Sequence, residues 1–319
     1  MANTIVLVSG GNRGIGLEII KALLESNTSS DGTPYRIYLG SRDLQTGKDV
    51  AAGLSGTHGN TVSAIQLDIT SPESVNAAVA TVKADSGRLD VLINNAGVNY
   101  PNIEDEATKM RTLYDINVIG TSRVTDAFKP LLLTQPAEAK KEKRLIHVTS
   151  SMGSTASRFN PQFEFYQQPY TAYRCTKAAL GMLTACHAYD LKDDGVKVHA
   201  LDPGWAATEF GGGDPTVTRE LGAVDPKVSG HACRGIIEGE RDHESNVIVS
   251  INNQTYPWSP IPKDTFSGEH GGLRAALGDG GNCRRDYRGS CPQADSSGER
   301  TGYHQMVLIL SLFGSIRPI

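Results

Sequence analysis

Seven short runs of mostly apolar, β-branched residues recur through the first 251 positions, and stretches with helical spacing separate them. The runs are Thr4–Ser9, Tyr35–Gly40, Val62–Asp68, Leu89–Asn94, Arg144–Thr149, Val196–Asp202 and Asn246–Ile251. Most are nearly continuous in apolar residues, as strands covered on both faces must be. Between them, Thr112–Leu133 aligns Leu113, Ile116, Gly120, Val124 and Leu131 on one stripe. Thr171–Leu191 does the same with Ala172, Cys175, Ala179, Met182, Leu183 and Cys186. Ser71-Pro72 before an Ala/Val-rich run reads as a capped helix start. Repeated strand–helix alternation implies right-handed crossovers and a parallel sheet. The expected fold is α/β, a doubly wound, mostly parallel, seven-stranded sheet in a single domain over residues 1–258.

The pattern stops near Trp258. Residues 259–319 read as an irregular C-terminal extension: Ser259–Ser297 is rich in Gly, Arg, Ser, Pro and Asp, and Met306–Ile316 is apolar but too short for a bilayer. Lys and Arg total 31 against 35 Asp and Glu, a net charge of −4, so no basic footprint points to nucleic acid or acidic membranes. The five cysteines form no CxxC pairs and no secretory framework, so reduced thiols in the cytoplasm are expected and no metal site is. The opening MANTIVLVSGG has no basic region before its short apolar stretch, unlike a signal peptide.

Strand one runs into SGGNRGIG, Ser9–Gly16, and then into a helical LEIIKALLES. Gly10 permits a tight turn, while Gly14 and Gly16 let backbone approach a pyrophosphate at a helix N-terminus, where free N–H groups favour anions. This is the context a dinucleotide (Rossmann) fold requires. After strand two, GSRD puts Arg42 where an adenosine ribose is met, and Arg13 adds a second cation; together they favour the 2′-phosphate of NADP(H). Asp43, one residue on, would favour NAD instead. At the end of strand four, NNAG (Asn94–Gly97) supplies small residues and amides for the floor of a cofactor cleft.

YRCTK puts Tyr173 and Lys177 at i, i+4 on one helix face, so phenol and ammonium can address one point. A free phenol with pKa near 10 is a poor base at neutral pH, and a neighbouring lysine cation, aided by a positive oxidised nicotinamide, is the expected means of lowering it. HVTSSMG ends strand five at the carboxyl edge of the sheet, where a serine hydroxyl can polarise a carbonyl; Ser150 and Ser151 are both candidates. Tyr170 is not a candidate, because four residues later comes Arg174, and His147 reads as a strand residue.

The G-x-x-x-G-x-G spacing resembles the short-chain dehydrogenase/reductase family, with Ser9 where that family usually has Thr. The resemblance runs through six segments in family order over residues 1–258. Its details (GGNRGIG, GSRD, QLDI, LDVLINNAG and PGWAATE) are most similar to the carbonyl reductase branch. It implies a Ser-Tyr-Lys-Asn set of Ser150, Tyr173, Lys177 and Asn117, the last distorting its helix and supporting a proton relay. It also implies cofactor contacts from Gly10, Asn12, Arg13, Gly14, Ile15, Gly16, Arg42, Asp68, Ile69, Asn95, Gly97, Tyr173, Lys177, Pro203, Gly204, Ala206 and Thr208. Asp68 would meet the adenine and Thr208 the nicotinamide carboxamide, while Phe210, Gly211–Gly213 and 214–228 would form a lid. The implied activity is NADPH-dependent interconversion of a ketone or aldehyde with an alcohol. The alternative is a non-catalytic NADP(H)-binding sensor or scaffold. The departure is the Ser150-to-Tyr173 spacing, 173 − 150 = 23 residues, intermediate between the usual gap and that of monomeric carbonyl reductases. The inserted Ser154–Tyr170 is aromatic-rich and could wall a substrate pocket or cap a dimer helix pair, so the chain is expected to be a monomer or a homo-oligomer.

Overall fold

All seven runs are strands in the computed structural model of the chain, which describes residues 3–27, 29, 32–99, 102–136, 141–244, 247–251 and 255–257. These lie in the first of two compact units, Met1–Ile261. In chain order the elements begin with β1 (Thr4–Ser9), α1 (Gly14–Leu24), β2 (Tyr35–Ser41), α2 (Leu44–Ala52), β3 (Thr61–Gln66), α3 (Pro72–Ser86) and β4 (Val91–Asn94). Next come α4 (Glu106–Tyr114), a π-helical turn (Asp115–Gly120), α5 (Thr121–Leu133), β5 (Lys143–Val148), α6 (Thr155–Phe159) and α7 (Thr171–Asp190). The set closes with β6 (Val196–Asp202), α8 (Pro215–Glu220), α9 (Pro226–Ile237), β7 (Val247–Ser250) and β8 (Thr255–Pro257).

The strand order is β3-β2-β1-β4-β5-β6-β7-β8, with β1 to β7 parallel. An antiparallel eighth strand pairs Ile248 with Tyr256 and Val249 with Thr255, an addition to the expected seven. It is three residues long and carries no apolar run; its Pro257, which has no N–H to donate, suits an edge strand. The expected extension, 259–319, lies outside the described residues. Among the described residues no helix is long and apolar enough to cross a membrane.

The apolar continuity of the central strands is explained by two cores. Ile5 and Leu7 of β1 face Leu92, Val75, Val124 and Phe128, on the side of α3 and α5. Val6 and Val8 face Ile19, Ile20, Leu23, Cys233 and Ile236, on the side of α1 and α9. β3 alternates buried and exposed residues only weakly, because it is an edge strand. The single helix expected over 112–133 starts earlier, at Glu106, and a π turn containing Asn117 interrupts it. Ser71 caps α3 as expected, accepting from Ser74 N. The chain order reverses between β1 and β4, which opens a crevice at the carboxyl ends of those strands.

Candidate functional site

The glycine turn fills that crevice. Gly10 has φ +65°, and a Cβ on Gly16 would sit 2.3 Å from Gly10 O, so the turn closes only without side chains there. The Ser9 hydroxyl, standing in for a threonine, accepts from Asn95 N and Ala96 N, both at 3.1 Å. Asn95 Nδ2 donates back to Ser9 O at 3.0 Å and Gly10 O at 3.1 Å. The NNAG amides thus tie β4 to β1 under the turn. Helix α1 has no side-chain cap and no acid in its first turn, whereas α2, α3, α4, α8 and α9 are capped by Asp43, Ser71, Asp105, Asp214 and Asp225. An uncapped helix N-terminus over a side-chain-free turn fits a dinucleotide pyrophosphate. Asn12 and Ile15 are half-buried in the same turn.

At the ribose end, Arg42 is exposed after β2. Asp43, the residue that would favour NAD, is the α2 N-cap: its carboxylate accepts from Thr46 N at 2.7 Å, and the Thr46 side chain first, then this backbone bond, hold it below the usual carboxylate range. Arg13 pairs with Glu209 at 3.2 Å, both side chains exposed, which is a weak interaction. Asp68 folds back on Thr70, accepting from its N at 2.9 Å and its hydroxyl at 2.7 Å. Ile69 is buried, and its carbonyl accepts from Arg123.

The other half of the site is carried by α7 and the end of β5. Helix α7 begins after Tyr170, which has φ +33°, and Glu106 of α4 accepts from Ala172 N at 3.0 Å in place of a local cap. This sets Tyr173 in the first turn and Lys177 one turn on. The Lys177 ammonium donates to Val148 O at 2.9 Å and lies 5.7 Å from the Tyr173 ring centroid. Ser150 begins the tight turn Ser151–Gly153, accepts from Met152 N at 3.2 Å, and lies near enough to the Tyr173 phenol to act against the rise of its pKa. Ser151, the other candidate, acts on Asp202, whose pKa it lowers. Gly153 lets this turn lie on α7: a Cβ there would be 2.5 Å from Lys177 C. Asn117 clamps the loop after Gly97, accepting from Val98 N at 2.8 Å and donating to Val98 O at 2.9 Å and Thr176 Oγ1 at 3.2 Å.

After β6 the chain arches over the glycine turn. Pro203 O accepts from Ser229, Gly204 N donates to Asp202, and Ala206 bridges to Val224. A Cβ on Gly14 would be 3.7 Å from Thr208 Cβ, so Thr208 lies beside the turn. The ring of Phe210, from the expected lid, meets the Tyr173 ring edge-on at 5.8 Å between centroids.

Burial, then the charge of Asp202, push the Tyr173 phenol above its ordinary value, opposed by the Ser150 hydroxyl. Burial pushes Lys177 down to about 8, opposed by Asp202. For both groups desolvation of the charged form is the largest influence. At pH 7 the pair is a neutral phenol beside a mostly protonated ammonium, an arrangement that can give a proton. His147 is buried against His187, Nε2 to Nδ1 at 3.0 Å, and pushed down to about 3, so it is a neutral strand residue.

Sequence reasoning assigned no role to Asp202 or Arg174. Asp202 is buried and hydrogen-bonded to Ser250 at 3.1 Å, and its field reaches Tyr173 and Lys177; the only signal was an acid before Pro-Gly. Arg174 looked like one more helix residue.

The family description short chain dehydrogenase matches residues 4–215. The short-chain dehydrogenase/reductase tropE of Talaromyces stipitatus is 32% identical over 270 residues, 79% of this chain and 97% of the relative. The short-chain dehydrogenase/reductase eupG of Phoma sp is 32% identical over 278 residues, 80% of this chain and 97% of the relative. Among solved structures, NADPH-bound carbonyl reductase from chicken fatty liver is similar at TM-score 0.64 and 27% identity, covering 81% of this chain and 100% of that one. With the sheet order, the glycine turn and these likenesses together, the chain belongs to the short-chain dehydrogenase family of oxidoreductases, whose members bind a nicotinamide cofactor.

Proposed function

We propose that the chain is an NADPH-dependent carbonyl reductase, interconverting a ketone or aldehyde with an alcohol. The observation that carries this is the convergence of the Ser150 hydroxyl, the Tyr173 phenol and the Lys177 ammonium at the carboxyl edge of the sheet. The bound dihydronicotinamide supplies a hydride to the carbonyl carbon. Tyr173 Oη gives its proton to the carbonyl oxygen, and the high phenol pKa keeps that proton in place until the oxygen gains charge. Ser150 Oγ donates to the same oxygen and polarises it. Lys177, protonated below about pH 8, stabilises the phenolate left behind and holds the nicotinamide ribose. Asn117 fixes the loop at Val98 and supports proton return from solvent.

For the dinucleotide, Gly10, Asn12, Gly14, Ile15 and Gly16 hold the pyrophosphate, while Arg42 and Arg13 meet the 2′-phosphate. Asp68, Ile69, Asn95 and Gly97 line the adenosine side, and Pro203, Gly204, Ala206 and Thr208 the nicotinamide side. The likeness to an NADPH-bound carbonyl reductase and the commitment of Asp43 to its helix support NADP(H) over NAD(H). The described cysteines, Cys175, Cys186 and Cys233, are free thiols, which supports a cytoplasmic location. The partner is a small carbonyl or alcohol substrate, and the chemistry resides in residues 1–258.

Tyr173→Phe tests the reading. Turnover falls by about 10²- to 10⁴-fold, the range of a lost general acid, while NADPH binding measured by fluorescence persists. Near-normal turnover in the variant removes the tyrosine from the mechanism. NADPH binding by the wild type without turnover of any carbonyl would make the chain a sensor or scaffold.

A further inference from the structure

We propose that Arg174 is a positioning residue that holds loop 160–170 as an aromatic wall beside Tyr173, and that this wall selects flat aromatic ketones. The inference rests on the carbonyl reductase reading and adds a substrate class to it. Arg174 follows the tyrosine directly in α7 and is buried. Its Nη2 donates to Phe165 O at 2.6 Å and Gln168 O at 3.2 Å. Its Nε donates to Pro169 O at 3.2 Å and Gln168 O at 3.3 Å, and its Nη1 reaches Met152 O at 3.4 Å. The guanidinium carbon also lies 5.9 Å from the Phe163 ring centroid. Four carbonyls from two segments thus converge on one planar cation. A buried guanidinium without acceptors costs several kcal/mol, and a folded-in loop with unpaired carbonyls is likewise penalised, so each holds the other in place. Lysine has no such fork.

The loop so held presents rings to the reacting phenol. Phe163 is buried against Tyr173, Met152 and Leu113. Phe165 meets Phe163 edge-on at 5.7 Å and Trp205, from the segment after β6, at 5.9 Å. Phe165 and Trp205 are half-buried, and Phe210 on the far side of Tyr173 is 46% exposed, so ring surface is left free on both sides of the phenol. Such surfaces gain most from a flat π-system stacked offset or edge-on.

The test compares 2-acetylnaphthalene with the small 2,3-butanedione, with the full chain and NADPH. For the wild type, kcat/KM for 2-acetylnaphthalene exceeds that for the dione by about tenfold. Arg174→Met, of similar length without donors, lowers the aryl-to-dione ratio by about tenfold, through the aryl ketone's KM, and Arg174→Lys recovers part of it. Phe165→Ala lowers the same ratio with Arg174 intact, and carries the test if Arg174→Met does not fold. Proportional loss on both ketones, or a wild type that prefers the dione, overturns the wall. Quenching of tryptophan fluorescence by 2-acetylnaphthalene reads the wall without turnover. Arg174-dependent quenching in a protein that reduces no carbonyl would sink the reductase reading and keep the wall; Arg174-independent quenching, or none, overturns the wall.

Discussion

Gly153→Ala is the smallest change that reaches the reacting groups without touching them. Gly153 closes the turn that begins at Ser150, and that turn lies directly on α7. A Cβ at 153 would be 2.5 Å from Lys177 C and 2.7 Å from both Ala178 N and Lys177 O, all backbone atoms. Ordinary contact begins at 3.4 Å, so turn and helix must separate by 3.4 − 2.5 = 0.9 Å. Ser150 rides on one side of that contact, Tyr173 and Lys177 on the other. A misplacement of about 1 Å in a reacting constellation costs on the order of 10²-fold in rate, or about 2.7 kcal/mol. Overpacking itself costs about 1–3 kcal/mol, which leaves the domain folded. The expected result is a kcat about 100-fold lower in steady-state NADPH oxidation. Dinucleotide Kd moves far less, because Gly10–Gly16 sits on another strand. Gly181→Ala is the control on the same helix: nothing lies within 4 Å of a Cβ there. It should stabilise by about 0.5–1 kcal/mol and leave kcat unchanged. A folded Gly153→Ala protein with kcat within about threefold of wild type, well short of the 10²-fold expected, would refute the claim that this contact sets the distance from Ser150 to the phenol.

Four further outcomes are expected, three from the site and one from the C-terminal extension. Replacing Arg42 with Ala removes a charge-assisted bond of about 1.5–3 kcal/mol, so KM for NADPH rises by about 10- to 100-fold with little change for NADH; an unaltered cofactor preference in the two titrations contradicts the assignment. Lys177, held near 8, is protonated below that pH, so kcat/KM for carbonyl reduction falls as pH rises through about 8. Asp202 raises both Lys177 and Tyr173, so Asp202→Asn lowers both and moves this alkaline limb to lower pH; a pH–rate profile with no shift, or an upward one, would remove Asp202 from the site's field. Truncation after Trp258 should leave kcat/KM and Tm unchanged, and a loss of either places residues 259–319 in the working protein.

The fold was legible because its signals are local. Apolar runs with no alternation, as in Val6–Val8 and Leu145–Ile146, can sit only in strands covered on both faces, and both cores bear this out. Ser71-Pro72 specified a helix start from two adjacent residues. The weakest strand signals lay at the sheet's edges. β3 is half-exposed, and β8 is three residues long and held by pairing with β7 rather than by its own pattern. The apolar stripe over 112–133 did not itself show the π turn, because one inserted residue leaves the stripe almost unchanged; the distortion at Asn117 was implied only by the family resemblance.

What the sequence alone determined was whatever depends on neighbours along the chain: the glycine turn after β1, the one-turn separation of Tyr173 and Lys177, and the alternation that makes a parallel sheet. Tertiary structure alone decided the rest. It set Ser150 beside the Tyr173 phenol and Ser151 beside Asp202, and it made Asp43 a helix cap. The reason is the same in each case. A buried group's hydrogen bonds and field are summed over residues from several strands and helices, and the desolvation that dominates them exists only once those elements have packed.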